Sequence, residues 1–399
     1  MSIEWWKKCK GLVFLMTEIV DLNYSAIKNI PDLLEVLRQK DISSNLYWIY
    51  VEKYQERKAR ENGIPLYGQF ELTPLCNLDC KMCYVHLNAE QLKGRQLLTT
   101  EDWKGIMYQA RSMGMLYATL TGGECLIYPG FDELYMFLRS LGVKISIKTN
   151  GVLLNKERID FFNKYLPRDV TISLYGSSND AYYNVTGHSV FDIVYGNLQL
   201  LKRANFPIHI GITPSRYMYD DIEGLLQIVN DLHFPLLMNI ALFPPREETG
   251  RDLCDLSPEE YLEIFKLLRE KAGSQNNLYE YVEEPDINNL DKKNEKREAS
   301  RFGLQCGAGR SFFTINWKGD MSGCDNLESL RINVLDQSFT YAWRLIHSDA
   351  LTYPLPVECN YCEYNKKCLN CAAYRSDRKS PGHCNKSVCD RTRVFYNNR

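Results

Sequence analysis

Three cysteines lie close together in the segment Cys76-Asn-Leu-Asp-Cys80-Lys-Met-Cys83. Thiolates with this C-x3-C-x2-C spacing are able to hold three corners of a cubane iron–sulfur cluster on one loop. The fourth iron then lacks a protein ligand, and an open metal position is where chemistry takes place. A structural zinc site would need further ligands nearby, and between Cys83 and Cys125 there is only His86. The spacing therefore favours a cluster with one open iron.

Polar and glycine residues follow the next predicted strands. The segment Thr121-Gly122-Gly123-Glu124 has two glycines, which let the backbone approach a ligand, and a carboxylate, which accepts hydrogen bonds from an ammonium group. The third and fourth predicted strands end near Asn150 and Ser173. Ligand groups in a parallel barrel belong on the loops after the strands, and the three cysteines, which directly follow the first predicted strand, obey this rule.

The elements that position these groups alternate between short β-branched runs and segments with helical periodicity, from Tyr67 to about Tyr281. Such alternation predicts parallel strands joined by crossover helices, and six units predict a partial (β/α)6 barrel in the α/β class. The predicted strands are 67–73, 116–121, 143–148, 169–174, 207–213 and 236–242. The predicted helices include 100–113, 132–141, 191–204, 220–232 and 257–271.

A second group of cysteines occupies the end of the chain, which contains eight of the fourteen cysteines. They are Cys306, Cys324, Cys359, Cys362, Cys368, Cys371, Cys384 and Cys389. Eight thiolates are the number needed to close two cubane clusters. A zinc knuckle built from the four cysteines between 359 and 371 is the alternative, and it would leave four neighbouring cysteines without a role.

The chain is therefore expected to divide into four segments. Residues 1–62 form a short, mostly helical N-terminal extension, and residues 63–285 form the barrel. Residues 286–304 are charged and form a linker, and residues 305–399 bind the additional clusters.

Composition narrows the class of protein. With 45% hydrophobic residues and a formal net charge of −2, the chain has enough apolar residues for a sizeable core and no electrostatic footprint for nucleic acid. The apolar run at 11–16 is far too short to span a membrane and lacks a signal cleavage site. Fourteen cysteines in a large chain without a signal indicate metal binding rather than disulfides. We therefore expect a cytoplasmic protein with no nucleic-acid or membrane partner.

The cysteine motif resembles the signature of the radical SAM enzymes, and the Gly-Gly-Glu loop is similar to that family's glycine-rich motif. In this family the open iron binds S-adenosylmethionine, and an electron from the cluster yields a 5′-deoxyadenosyl radical. The resemblance implies that the three cysteines are the catalytic cluster ligands. It also implies that the cofactor is bound by Tyr84, Gly122, Gly123, Glu124, Asn150 and Ser173, with Tyr84 covering the adenine and Ser173 donating to the carboxylate.

Two features depart from the family pattern. Related sequences often have Ser-Leu-Asp-Gly where this chain has Ser173-Leu174-Tyr175-Gly176, and many have an arginine in the region that reads Tyr182-Tyr183-Asn184-Val185 here. A carboxylate gains most from a charged donor. Arg216 and Lys148 are the alternatives for that role.

The order of the tail cysteines resembles the SPASM domain that follows the barrel in several radical SAM subfamilies, although the last C-x2-C replaces the usual C-x3-C. The resemblance implies three [4Fe-4S] clusters in all. One auxiliary cluster would use Cys306, Cys324 and Cys371. The other would use Cys359, Cys362 and Cys368, with Cys384 and Cys389 as fourth ligands in either assignment.

Relatives with such a tail mainly act on peptides or proteins. The resemblance therefore implies a maturase of a ribosomally synthesised peptide that abstracts a hydrogen and forms a thioether or carbon–carbon crosslink. Its partners would be a precursor peptide and a low-potential electron donor such as flavodoxin or ferredoxin. The alternatives are a sulfatase-maturing (formylglycine-generating) enzyme, a peptide epimerase, or a non-enzymatic iron–sulfur electron-transfer or scaffold protein.

Overall fold

The computed structural model describes residues 22, 27–42, 44, 47–239, 242–246, 254–272, 303–304, 306–327, 329–364, 368, 371–377 and 380–397. The predicted linker at 286–304 therefore lies outside the described residues, apart from its last two. In the described part of the chain, no helix is long and apolar enough to cross a membrane.

Six parallel strands form the predicted partial barrel. They are β1 (Tyr67–Glu71), β2 (Tyr117–Thr121), β3 (Lys144–Thr149), β4 (Asp169–Ser173), β5 (Ile208–Ile212) and β6 (Leu236–Met238). Each strand pairs with the next one in the chain, so the order in space follows the order in sequence. The predicted fold class is confirmed, although β6 is shorter than the predicted 236–242.

Helices connect the strands on the outside of the sheet. They are α3 (Thr100–Ser112), α4 (Phe131–Ser140), α5 (Lys156–Lys164), α6 (Asn179–Thr186), α7 (Phe191–Arg203), α8 (Ile222–Leu232) and α9 (Pro258–Ala272). Polar side chains fix where several of them begin. Thr99 and Asp102 form a reciprocal capping box at α3, and Asn155 accepts a hydrogen bond from the backbone N–H of Arg158 at α5.

The two faces of the strands differ in polarity. Ile145, Ile147 and Ile172 point outward and are buried under the helices, as are the matching positions of the other strands. The alternate positions, such as Ser146 and Thr171, point into the barrel and are only partly buried. Parallel strands covered on both faces are normally apolar throughout. This alternation therefore indicates a polar, accessible interior, which we call the lumen.

The tail extends the sheet on the side of β1. Strand β7 (Phe312–Ile315) pairs in parallel with β1, and β8 (Asp320–Ser322) and β9 (Ile332–Asn333) continue in antiparallel fashion. The ring of Phe313 packs edge-on against Phe70 of β1 at 5.8 Å. The tail is thus joined to the barrel through a shared sheet and a shared core.

The remainder of the tail is built from short elements. These are α10 (Phe339–Thr352), α11 (Ala372–Arg375), the hairpin strands β10 (Ser376–Asp377) and β11 (Ser380–Cys384), and α12 (Lys386–Asn397). Helix α12 returns to the barrel, where the buried Arg391 binds the carboxylate of Asp255 at 3.1 Å. Its guanidinium lies 3.8 Å from the centre of the Tyr261 ring on α9.

The N-terminal extension contributes α1 (Ile30–Gln39) and α2 (Tyr47–Asn62), which pack around their own apolar cluster. Helix α2 lies against the beginnings of the strands. Glu52 accepts a hydrogen bond from the Tyr67 hydroxyl at 3.1 Å and pairs with Arg168 at 2.9 Å, and Gln55 accepts one from Tyr117 at 3.0 Å. The amino end of the barrel is therefore covered by α2.

Candidate metal and cofactor site at the carboxyl end of the barrel

The predicted metal ligands lie on the loop at 72–86, which follows β1 and which we call the cysteine loop. Burial raises the pKa of Tyr175, and the nearby thiols of Cys80, Cys83 and Cys76 add to the increase. The backbone N–H of Leu78 donates to Sγ of Cys76 at 3.4 Å, and that of His86 donates to Sγ of Cys83 at 3.2 Å. Hydrogen bonds to sulfur are a feature of loops that ligate iron–sulfur clusters.

Backbone contacts hold the cysteine loop in place. The N–H groups of Asp79 and Lys81 donate to the carbonyls of Thr186 and Val185, each at 2.9 Å. These carbonyls belong to the end of α6. The position of Cys80 between the two contacts is therefore set by a helix that follows β4.

The Gly-Gly-Glu loop crosses directly over the cysteine loop. A Cβ atom on Gly122 would lie 2.5 Å from the carbonyl oxygen of Thr73, and one on Gly123 would lie 2.2 Å from that of Leu75. Gly122 also has a φ of +156°. The N–H of Gly123 donates to the Thr73 carbonyl at 2.6 Å. Glycine is required here because the two backbones are in contact.

Glu124 points into the protein and is fully buried. Its carboxylate accepts hydrogen bonds from the Thr149 hydroxyl at 2.9 Å, the Asn150 N–H at 2.8 Å and the Leu126 N–H at 3.0 Å. Burial raises its pKa, and these donors oppose the increase. Glu124 thus braces the end of β3 within the site, and its contact with a ligand ammonium stays a prediction.

Asn150 lies between the glycine loop and the cysteine loop. Its amide nitrogen is 2.7 Å from Oδ1 of Asn77 and 3.6 Å from Sγ of Cys76. Its own Oδ1 accepts the N–H of Val152 at 3.0 Å. The structure therefore brings Asn150 to the cysteine thiols, as the sequence predicts.

Ser173 ends β4 and opposes the increase that burial causes in the pKa of Tyr175. Tyr175 is the residue that departs from the family's aspartate. Its ring packs edge-on against the buried Tyr182 at 6.0 Å. The departure thus places an aromatic hydroxyl, instead of a carboxylate, beside the thiols and beside Ser173.

Tyr84, directly after the last loop cysteine, lies under a guanidinium. The guanidinium of Arg246 lies 5.1 Å from the centre of the Tyr84 ring, and the backbone N–H of Arg246 donates to the backbone carbonyl of Tyr84 at 3.1 Å. Arg246 also forms ion pairs with Glu71 and, at 3.6 Å, with Asp325. Burial raises the pKa of Glu71 to about 7, even with this guanidinium beside it.

The same network reaches the lumen. Gln69 donates to Asp325 at 2.8 Å and accepts a hydrogen bond from the Lys148 ammonium at 3.1 Å. Of the two alternative cations, Lys148 therefore points into the barrel. Arg216 is exposed and donates instead to the carbonyl of Asp255 at 3.4 Å.

The tail cysteines separate into two sets. Burial raises the pKa of Cys324 to about 12, and the thiols of Cys371 and Cys306 contribute to the increase. Burial likewise raises the pKa of Cys389 to about 11, with contributions from Cys384, Cys368 and Cys362. Sγ of Cys359 lies 3.3 Å from Sγ of Cys384. We call Cys306, Cys324 and Cys371, which lie near one another, the proximal set, and we call the other five tail cysteines the distal set.

Sequence reasoning missed the charged network around Arg246. Glu71, Gln69 and Asp325 carried weak signals, since Glu71 and Gln69 alternate along the predicted first strand and Asp325 directly follows Cys324. Arg246 carried none, because its position depends on a loop whose path only the fold defines.

The family model of the Radical SAM superfamily matches residues 70–229, from β1 to α8. The AdoMet-dependent heme synthase of Methanosarcina barkeri is 24% identical over 320 residues, covering 76% of this chain and 90% of that protein. The sporulation killing factor maturation protein SkfB of Bacillus subtilis is 25% identical over 226 residues, covering 56% and 54%.

Two solved structures share the fold. Native anSMEcpe with bound AdoMet superposes with a TM-score of 0.65 at 18% identity, covering 84% of this chain and 96% of that one. SuiB of Streptococcus suis bound to precursor peptide SuiA gives a TM-score of 0.63 at 18% identity, covering 97% and 88%.

Proposed function

Because this chain is a radical SAM enzyme, we propose that it is a maturase of a ribosomally synthesised peptide and forms a thioether or carbon–carbon crosslink. The family predicted from the cysteine and glycine motifs is confirmed. Similarity to a protein named for maturation, SkfB, and to SuiB in complex with a precursor peptide supports a peptide substrate.

The residues at the carboxyl end of the barrel fit the cofactors of this family. The three thiols lie on one short loop, and two of them, Cys76 and Cys83, accept hydrogen bonds from backbone N–H groups. When bound, the cluster and S-adenosylmethionine supply a 5′-deoxyadenosyl radical that abstracts a substrate hydrogen. In our proposal Cys76, Cys80 and Cys83 hold the cluster. Tyr84, Gly122, Gly123, Glu124, Asn150 and Ser173 position the S-adenosylmethionine.

The observation that carries the crosslinking proposal is the place of the proximal tail thiols. Asp325, directly after Cys324, accepts a hydrogen bond from Gln69 at 2.8 Å, and Gln69 in turn accepts one from Lys148 in the lumen, so Cys324 lies near the space that a substrate would fill. Crosslinking removes one hydrogen atom, one proton and one electron from the substrate. A redox centre on these thiols would accept that electron.

The second auxiliary cluster is assigned to the distal set. Cys359, Cys362 and Cys368 would provide three ligands, and both Cys384 and Cys389 lie with them. The chain would then carry three [4Fe-4S] clusters. A low-potential donor such as flavodoxin or ferredoxin in the cytoplasm would reduce them. In this proposal the extension ends at residue 62, the barrel at residue 285 and the linker at residue 304.

The test is co-expression with a short open reading frame from the same locus, followed by mass spectrometry of the peptide. A crosslink appears as the loss of about two hydrogens, and it should vanish when the three loop cysteines are replaced by alanine. A deuterium uptake from solvent without other mass change would indicate an epimerase. Conversion of a Cys or Ser to formylglycine in a sulfatase-type motif would establish the sulfatase-maturing alternative.

A second candidate function follows from one comparison. The AdoMet-dependent heme synthase matches this chain over 90% of its own length, which is more than the fraction of SkfB that matches. Heme production in a heme-deficient host that expresses this chain, with no peptide modified, would favour that activity over the maturase.

A further inference from the structure

The lumen of the barrel is polar, and its chemistry indicates what it binds. The inward positions of β2, β3 and β4 carry hydroxyl groups, among them Thr119, Ser146 and Thr171, and all three are partly accessible. An apolar substrate side chain would have to desolvate these groups without replacing their hydrogen bonds. The lumen is therefore built for a polar group.

The charged side chains around the lumen differ in how fully they are paired with opposite charges. Arg246 lies between two carboxylates, Glu71 and Asp325, and is bound to both. Asp169 accepts a hydrogen bond from Ser146 at 2.8 Å and pairs with Arg168 at 3.5 Å. These charges are satisfied within the protein.

Lys148 is placed differently. Among the residues that the structure describes, its polar contact is the neutral amide oxygen of Gln69 at 3.1 Å, which uses one of the three donors of the ammonium group. Asp325, Asp169 and Cys324 act on it only as more distant charges. Protein surrounds the ammonium and lowers its pKa through desolvation, yet the side chain remains accessible from the lumen.

The ammonium is also held in position. Gln69 donates its amide N–H to Asp325 at 2.8 Å, which turns the amide oxygen toward Lys148. A preorganised cation whose remaining donors make no hydrogen bond to the described residues is well suited to bind an anion. A carboxylate offers the matching charge and acceptors.

Resting on the function proposed above, we propose that Lys148 binds a carboxylate in the lumen and so makes an acidic side chain of the substrate peptide a determinant of specificity. S-adenosylmethionine also carries a carboxylate, but depth favours the substrate. Lys148 is in register with Thr171, two residues before Ser173 at the end of β4. That offset puts the Cα atom of Lys148 about 7 Å deeper in the barrel than that of Ser173.

The test measures binding and needs no turnover. The probes are acetyl-Ala-Ala-Glu-Ala-Ala-amide and its Gln counterpart, titrated by equilibrium dialysis into the reconstituted full chain with S-adenosylmethionine present. The Glu probe should bind about tenfold more tightly, or about 1.4 kcal/mol. Lys148→Met should abolish this preference and Lys148→Arg should retain much of it. Lys156→Met, on the outer surface in α5, is the matched control and should leave it unchanged.

A second arm separates the two sources of carboxylate. The affinity of Lys148→Met for S-adenosylmethionine should match that of the unaltered chain within about twofold. A loss of about tenfold that decarboxylated S-adenosylmethionine does not show would assign Lys148 to the cofactor and overturn the substrate role. Equal or undetectable binding of the two peptides to the unaltered chain would overturn it as well. Both outcomes are independent of whether a co-expressed peptide becomes crosslinked, which tests the proposed function itself.

Discussion

Replacement of Arg246 by methionine should destabilise the protein strongly and in a pH-dependent way. The guanidinium is 14% exposed, and the side chains of its partners Glu71 and Asp325 are 4% and 5% exposed. Removing one member of a buried ion pair costs about 3–5 kcal/mol because the remaining charge has no partner. We expect about 3 kcal/mol at pH 8, since Asp325 keeps its hydrogen bonds from Gln69 and Thr314.

The sign of the pH dependence follows from Glu71. Burial raises its folded-state pKa to about 7, above the ordinary value of 4.5. Its contribution to stability is therefore fully present below about pH 4.5 and is lost as the pH rises through 7. Without Arg246 the carboxyl protonates even more readily, so the destabilisation caused by Arg246→Met should be smaller at pH 5.5 than at pH 8.

Urea unfolding followed by circular dichroism at the two pH values measures this effect. The double variant Glu71→Gln with Arg246→Met should recover part of the loss, because no ionised partner remains on Glu71. Arg57→Met is the matched control, since the Arg57–Glu61 pair is exposed and should contribute less than about 1 kcal/mol. A cost below 1 kcal/mol for Arg246→Met, or a larger cost at pH 5.5, would refute the reasoning.

The remaining predictions concern the cofactor site. The anaerobically reconstituted protein should carry about twelve iron atoms. Replacement of Cys76, Cys80 and Cys83 by alanine should remove about four of them. An analysis that finds two zinc ions and no sulfide in the tail would contradict the auxiliary clusters. Gly123→Ala should abolish binding of S-adenosylmethionine because its Cβ would meet a backbone carbonyl, whereas Gly105→Ala, with open space around it, should be tolerated; dialysis and melting curves compare the two. Glu124→Ala should weaken binding of S-adenosylmethionine by about 1.5–3 kcal/mol or more, because a charge-assisted contact is lost and the backbone of Asn150 is released. Unchanged affinity would show that Glu124 is a turn residue only.

Local sequence features were enough to predict much of the fold. The strand at 169–174 and the helix at 191–204 are found at Asp169–Ser173 and Phe191–Arg203. Both were predictable because hydrophobic periodicity is a local property that the core then satisfies. The cysteine spacing is equally local, since three ligands on one short loop need no distant partner.

The position of each strand along the chain also determined the set of residues at the carboxyl end. Parallel strands present their following loops on one edge, so Asn150 was expected near the cysteine loop and lies 3.6 Å from Sγ of Cys76. What each side chain does on that edge was less predictable. Glu124 was expected to face a ligand, and its carboxylate is occupied by hydrogen bonds from β3 and its own loop.

Only the tertiary structure decided how the barrel and the tail share a site. Arg246 is 175 residues away from Glu71 in the sequence, and Asp325 belongs to a third part of the chain. One guanidinium nevertheless binds both carboxylates. No periodicity or motif encodes such a contact, because charge pairing over long sequence separations depends on the register of β7 against β1 and on the loop after β6. The sequence by itself determined the barrel and the cysteine loop. The fold decided which charges neutralise one another and which, as at Lys148, remain directed into the lumen.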